Sequence, residues 1–423
     1  MDKISFVINT AVNELEYVKL LLNSLQKNLD HDHHEIIVFV DSDNQGTYEY
    51  LKSIKNSFED LKIVTHKLPP CIGYSRNNNL LVEIAKHDIV SYLQSDMVIS
   101  PGYDTDVLKL VQPNRILCAT RVEPPLHGPS NMVITENFGL KPSEFNLDKW
   151  NEYSVNIKRD SQLNYFFAPI TFYKQTWLDL GGYDTLFRRS REDTDFVQKC
   201  FHNDIELLQT FSAVVYHFTC TSSRGSDWFN QNNAEAQSRV QLQQQADRIE
   251  LNRFIRKWGN FSHDVKLTKF DIDLIITNST KMPADIISTI EPFVSRVYLD
   301  NHKLIEYLID AHSSDHIPAN QLLKFTDEQW EMSKQFYNQV DFSKIYLYYD
   351  QQPINSSITI RIDGTTLTNE DINLFQHLHL VIDENETGEY KFYNMDISIL
   401  SKNERVERKT QNPKFNMDLL NIE

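Results

Sequence analysis

The chain has 423 residues, of which 40% are hydrophobic, 11% aromatic and 24% charged, a soluble globular composition long enough for two or three domains. Its 42 basic and 59 acidic residues leave a formal net charge of −17, which excludes the basic surface that non-specific nucleic-acid binding needs. No run approaches the roughly eighteen apolar residues of a membrane span.

Met1-Asp2-Lys3-Ile4 leads straight into a strand-like run, without signal-peptide anatomy. Cys71, Cys118, Cys200 and Cys220 form no C-x-x-C pair. That argues against a zinc ribbon or disulfide framework and for a reducing compartment, so a cytoplasmic location is expected.

Residues Ile4 to Ile8 read as a strand. Asn13-Glu14 then opens a helix with Leu15, Val18, Leu21, Leu22, Leu25 and Leu29 on one face. Ile36 to Val40 is a second strand, closed by Asp41-Ser42-Asp43-Asn44-Gln45-Gly46, and Thr47 to Ile54 is helical. Leu61 to Thr65 is a third strand, punctuated by Leu68-Pro69-Pro70. Gly73-Tyr74-Ser75 precedes a helix that turns Leu80, Leu81 and Ile84 inward. Ile89 to Leu93 is a buried-strand run that ends in Gln94-Ser95-Asp96, before the break at Pro101-Gly102. This alternation predicts an α/β fold, a mostly parallel sheet with helices on both faces. Such sheets gather ligands at the carboxyl ends of their strands.

Further on, Ile116 to Thr120 is a strand, Glu123 to Pro129 a loop, and residues 131–164 are mixed. Phe166 to Tyr173 reads as a strand, Lys174 to Leu180 as a helix stopped by Gly181-Gly182, Asp193 to Cys200 as a helix, and Ala213 to His217 as a strand. Ser226 to Trp258 suggests a long, weakly amphipathic helix, which Gly259 ends. The domain boundary is placed just after it, giving domains 1–262 and 263–423. The second is a smaller α/β or α+β accessory domain with strands at Ile272 to Thr277, Val297 to Leu299, Ser357 to Ile362 and Leu380 to Ile382. It carries no chemical motif, and its last dozen residues look frayed.

Five features carry chemistry. Asp41 can accept from the N–H of a uracil or guanine base, although a turn aspartate can equally cap the next helix. Arg76 can pair with a diphosphate, or be a surface arginine. Asp96 can hold Mg²⁺ or Mn²⁺ against a diphosphate, because a hard cation needs one or two protein carboxylates plus phosphate oxygens; its plain alternative is a capped turn. Such a cation would let an acidic protein bind an anionic ligand.

Arg191-Glu192-Asp193-Thr194-Asp195 opens a helix with three acids, as the macrodipole favours. As chemistry, one of these carboxylates is a general base for an acceptor hydroxyl, with Glu192 orienting its neighbour. His217 can add a nitrogen ligand to the metal, or be a rim histidine. His31-Asp32-His33-His34 looks metal-like but reads as an exposed loop. G-x-G-x-x-G, Walker and G-x-S-x-G patterns are all missing from the sequence.

Taken in order, these features resemble the family 2 glycosyltransferases of GT-A fold, over roughly residues 4–260. Ile8-Asn9-Thr10 through Leu25 is similar to the first strand and helix of that family, with Asn9 in place of the usual proline. Val38 to Thr47 resembles its Asp-Asp-Gly-Ser-Thr-Asp-Gly-Thr segment, with Asp41 on the base-binding aspartate and Val40 in place of the first one. Gly73-Tyr74-Ser75-Arg76-Asn77 is similar to the stretch where an arginine meets the nucleotide. Leu93-Gln94-Ser95-Asp96-Met97 lies on the Asp-x-Asp motif, with Gln94 in place of its first aspartate. Gly181-Gly182-Tyr183-Asp184, followed by Glu192-Asp193, resembles the segment with the catalytic base. His217 falls on a metal-binding histidine, and Phe254 to Gly259 on the closing helix.

The resemblance implies an inverting transfer from a UDP- or GDP-linked sugar to a glycan or other hydroxyl acceptor. Asp193 is then the base, and Asp96 and His217 hold Mn²⁺ or Mg²⁺. Thr10, Glu14, Asp41, Arg76, Ser95 and Asp96 line the donor. The nucleotide-sugar half would be about 1–120 and the acceptor half about 121–262. Self-association through residues 263–423, acceptor presentation and partner docking are the roles open to the accessory domain. Two alternatives compete: a non-catalytic glycan- or nucleotide-sugar-binding module of the same fold, and a sugar-1-phosphate nucleotidyltransferase, whose Gly-rich phosphate loop Thr10-Ala11-Val12-Asn13 lacks.

Overall fold

The computed structural model describes residues 2–31, 33–41, 43–66, 73–128, 130–187, 190–219, 247–262, 264–279, 284–304, 344–347, 356–404, 417 and 420–423. The turn at Leu68-Pro69-Pro70, Cys71, Cys220 and the 226–246 part of the expected long helix lie outside these residues. The chain divides into two units, Met1–Ala236 with Thr410–Glu423, and Gln237–Lys409. The helix over residues 247–258, expected to close the first domain, therefore groups with the second unit.

In the first unit the strands are β1 (Ile4–Thr10), β2 (Glu35–Val40), β3 (Asp60–His66), β4 (Ile89–Gln94), β5 (Met97–Ile99), β6 (Arg115–Glu123), β7 (Val133–Thr135), β8 (Gln162–Leu163), β9 (Ile170–Tyr173) and β10 (Glu206–His217). The helices are α1 (Leu15–Asn28), α2 (Thr47–Ile54), α3 (Tyr74–Ile84), α4 (Tyr103–Leu108), α5 (Leu147–Ile157), α6 (Lys174–Asp179) and α7 (Glu192–His202).

β3, β2, β1 and β4 lie side by side and parallel, with Thr10 opposite Val40 and Asn9 opposite Gln94. Strand order reverses at β1, so a crevice opens where β1 and β4 end, as at the switch point of a doubly wound sheet. β9 runs antiparallel between β4 and β6, and β10 is parallel to β6. β4, β6 and β10 therefore deliver Gln94, Glu123 and His217 to one edge of the sheet.

The continuous apolar strands are buried on both faces, and α1 seals one of them with Val18, Leu21, Leu22 and Leu25. Beside β10, Trp150, Tyr216 and Phe218 form an aromatic core with Val98 and Val122, and the Trp150 indole donates to Ile99 O at 3.1 Å. Cys118 and Cys200 are buried free thiols.

Several expectations shift. The Phe166–Tyr173 strand shortens to β9, because Pro169 has no N–H for a ladder. His34 is buried rather than in an exposed loop: its Nδ1 accepts from the Ile4 N–H at 3.1 Å and its Nε2 lies 3.0 Å from Asp104 Oδ2. The tail is not frayed at its end, since Leu420–Ile422 (β17 below) pairs antiparallel with β3.

The second unit holds a smaller sheet of β11 (Ile272–Thr277), β12 (Arg296–Leu299), β13 (Ile345–Leu347), β14 (Ile358–Asp363), β15 (Gly388–Phe392) and β16 (Met395–Ile399), ahead of β17 in the chain. Its order is β13-β12-β11-β14-β16-β15, parallel from β13 to β14 and antiparallel beyond. Leu380-Val381-Ile382 is not a strand but part of the helix Asn369–Glu384, which a Thr368–Asp371 capping box opens. Phe375, Leu378 and Ile382 face the core at helical spacing while Leu380 is exposed, so the apolar run was one stripe of a helix. Among the described residues, no helix is long and apolar enough to cross a membrane.

Candidate active site

Three turns meet at the crevice. After β1, the buried Glu14 carboxylate accepts from the Ala11 N–H at 2.8 Å and from Ser95 Oγ at 2.7 Å, tying the first turn to that after β4. Thr10 Oγ1 donates to Phe39 O at 3.1 Å. Asn13 and Asn44 pair across the turns after β1 and β2 at 2.8 and 2.9 Å. Asp43, not Asp41, caps α2, taking the N–H groups of Gln45, Gly46, Thr47 and Tyr48 at 2.9–3.0 Å. Burial alone would raise the Asp43 carboxyl, but these amides hold it below the usual carboxylate range. The capping role proposed for the turn thus falls two residues after Asp41.

The β4–β5 turn carries Asp96 and β10 ends in His217. β5 pairs with β10, placing Met97 opposite His217, and the Phe218 N–H donates to Asp96 O at 3.1 Å. Asp96 Oδ1 and His217 Nε2 are 3.6 Å apart, and His217 Nδ1 lies 2.8 Å from Glu123 Oε1. Arg121 Nη1 is 3.3 Å from the same oxygen. Asp96, His217, Glu123 and Arg121 are only 6%, 7%, 6% and 9% exposed. Burial would raise the Glu123 carboxyl, yet the bond from His217 and the Arg121 guanidinium hold it below its usual value.

A carboxylate oxygen and an imidazole nitrogen suit a cation that takes oxygen and nitrogen donors. Their 3.6 Å separation lies between the cis and trans ligand spacings, about 3.0 and about 4.2 Å, of an octahedral ion with bonds of about 2.1 Å. Among the described residues no cluster of three His, Cys, Asp or Glu side chains is arranged to hold a metal. A cation at this pair would complete its shell with phosphate oxygens and water.

On the other flank, Arg191 takes a left-handed φ of 72° and starts α7. Asp193 Oδ1 accepts from the Thr194 N–H at 2.6 Å, while the fully buried Asp195 lies 3.4 Å from Lys199 Nζ. Asp195 is thus committed to the core, and Glu192 and Asp193 stay half-buried at the helix start. Tyr74, the first residue of α3, joins the two flanks. Its hydroxyl meets Gln94 Nε2 at 3.3 Å and pairs with the Tyr92 hydroxyl. Burial pushes the Tyr74 phenol well above its usual value, and the charges of Glu192, Asp193 and Asp96 push it further. Carboxylates from the β4–β5 turn and from α7 therefore act on one phenol.

Residues 6–178 match the family model described as glycosyl transferase family 2. Over this segment the chain is similar to the family 2 glycosyltransferases. No curated protein sequence matched the chain. Among solved structures, S. aureus TarS is similar at 18% identity and TM-score 0.38, over 60% of this chain and 43% of that one. GalNAc-T7 with UDP, GalNAc and Mn²⁺ is similar at 13% identity and TM-score 0.40, over 51% and 44%. The mannosyltransferase PcManGT from Pyrobaculum calidifontis, in complex with GDP-Man and Mn²⁺, is similar at 15% identity and TM-score 0.38, over 59% and 64%. The chain thus spans less than half the length of the first two.

In the first unit, strand ends bring Thr10, Glu14, Ser95, Asp96 and His217 to one edge. Arg76 lies in the first turn of α3, and Asp41 follows β2, its N–H donating to Thr10 O at 3.3 Å. Three residues had escaped sequence reasoning as site residues: Tyr74, Arg121 and Glu123. Glu123 was missed because Pro124-Pro125 made the stretch from it onward read as a loop, and Arg121 because the expected strand stopped at Thr120, whereas β6 runs on to Glu123. Their i, i+2 spacing after an apolar strand was the available signal.

Proposed function

We propose that the first unit moves a sugar from a UDP- or GDP-linked donor to a hydroxyl acceptor with inversion. The observation that carries this reading is the buried Asp96–His217 pair, 3.6 Å apart where β4 and β10 reach the crevice. Arg76 pairs with the diphosphate, and Asp41 accepts from the base. Thr10, Glu14 and Ser95 hold the donor-side turns. Asp96 and His217 would hold Mn²⁺ or Mg²⁺, which would supply positive charge for the departing nucleoside diphosphate.

Asp193 takes the proton of the acceptor hydroxyl, whose oxygen bonds to the anomeric carbon as the bond to the diphosphate oxygen breaks. Glu192 orients Asp193, and the fixed Asp195–Lys199 pair keeps the first turn of α7 in place. A positioned base of this kind is worth about 10²–10⁴-fold.

The test is to incubate the full chain with Mn²⁺, a panel of UDP- and GDP-sugars and acceptor mixtures, and to read the transferred product by mass and anomeric configuration. A product of inverted configuration is expected. Binding of every donor without transfer would favour a binding module, and a retained anomer would contradict the single displacement.

A further inference from the structure

We infer that Glu123 is a positioning residue that fixes the tautomer and ring angle of His217, so that its Nε2 lone pair points toward Asp96. An ionised carboxylate is acceptor-only, so the 2.8 Å contact between Glu123 Oε1 and His217 Nδ1 puts the imidazole proton on Nδ1. In the neutral ring Nε2 then carries the lone pair, and it lies 3.6 Å from Asp96 Oδ1, longer than a hydrogen bond. The neutral ring thus sets an electron-pair donor opposite the Asp96 carboxylate, an arrangement that gains from a cation between them. The inference rests on the reading of Asp96 and His217 as the cation pair.

The support behind Glu123 is built in. Arg121 and Glu123 are two apart on β6 and share one face of the strand. Arg121 Nη1 lies 3.3 Å from Glu123 Oε1, and its guanidinium stacks over the Phe167 ring at 3.8 Å. β6 runs parallel beside β10, with Arg121 opposite Val215 and Val122 opposite Tyr216, so strand register carries Glu123 to the level of His217. The row Phe167–Arg121–Glu123–His217 buttresses one ring nitrogen and leaves the other directed at Asp96. Partners of this kind, one step removed from a metal, typically change its affinity 10–100-fold.

The experiment uses the full chain with ¹⁵N-labelled histidine, the His217 signals being assigned by their loss in His217→Asn. Imidazole ¹⁵N shifts report the tautomer, and Mn²⁺ binding is read by electron paramagnetic resonance in the same samples. Wild type should show His217 protonated at Nδ1. Glu123→Gln keeps an acceptor oxygen and should retain that tautomer, whereas Glu123→Leu should lose it and bind Mn²⁺ roughly 10–100-fold more weakly. A Glu123→Leu chain with wild-type tautomer and Mn²⁺ affinity overturns the inference. Asp96→Ala separates the two readings: if it leaves Mn²⁺ affinity unchanged, the cation pair itself is wrong, whatever the tautomer shows.

Discussion

Asn79 holds both backbone groups of Tyr183, its Nδ2 donating to Tyr183 O at 2.8 Å and its Oδ1 accepting from the Tyr183 N–H at 2.8 Å. This pair locks α3, which carries Arg76, to the glycine turn that leads towards α7 and Asp193. Lys199 Nζ donates to Gly182 O at 2.5 Å from α7, closing the same turn from the other side. Asn79→Ala strands a buried N–H and C=O, each of which costs about 1–3 kcal/mol. A drop of that order in unfolding free energy is expected in denaturant titration, with transfer rate falling as well. Unchanged stability would mean that α3 does not hold the turn.

Gly182 allows no side chain. Its φ is +63°, and a Cβ there would sit 2.3 Å from Asn79 Oδ1 and 2.6 Å from Trp177 Nε1. Gly182→Ala should therefore break the Asn79 clamp and destabilise the first unit by more than the roughly 1–2 kcal/mol of the left-handed backbone alone. Thermal unfolding of the two variants and of their double mutant checks this. Strong non-additivity is expected, because both substitutions remove one clamp.

Acid stability should depend on Asp104, at the opposite edge of the sheet. Burial alone would raise its carboxyl, but the His34 side chain and the Asp30 and Thr105 N–H groups hold it below the usual carboxylate range. A folded value below the unfolded one means that this group stabilises the fold above about pH 4, and that the contribution is lost as pH falls through the lower folded value. Asp104→Asn should lower stability at neutral pH and flatten the loss below pH 4, as read by urea unfolding at a series of pH values. Parallel wild-type and variant curves would contradict it.

The two half-buried acids of α7 should separate by role. Asp193→Asn should lower transfer by about 10²–10⁴-fold while leaving nucleotide binding near wild type. Glu192→Gln should have the smaller effect. Initial rates and calorimetric nucleoside-diphosphate binding on the same samples check this ordering, and the reverse order would move the base to Glu192.

The strand-end positions of Asp41 and Asp96 were legible because they are local. Strands such as Ile36–Val40 are short apolar runs closed by polar turns, and such turns lie at a sheet edge. Residues that act across long sequence separation were not legible. Glu123 meets His217 through β6–β10 register, and Asn79 meets Tyr183 across 104 residues, so neither contact leaves a local pattern. Asp43 shows the limit within a single turn: composition marks an acidic cap but not which of Asp41 and Asp43 takes the amides. Leu380-Val381-Ile382 failed for the opposite reason, because three adjacent apolar residues fit either period until the Thr368–Asp371 box fixes the helix.

The most direct test is the initial rate of nucleoside-diphosphate release at saturating Mn²⁺, with the preferred donor and acceptor, for wild type, Asp96→Ala and Asp193→Ala. Both variants should fall at least about 100-fold. Wild-type rates in both would contradict metal-assisted transfer at this site.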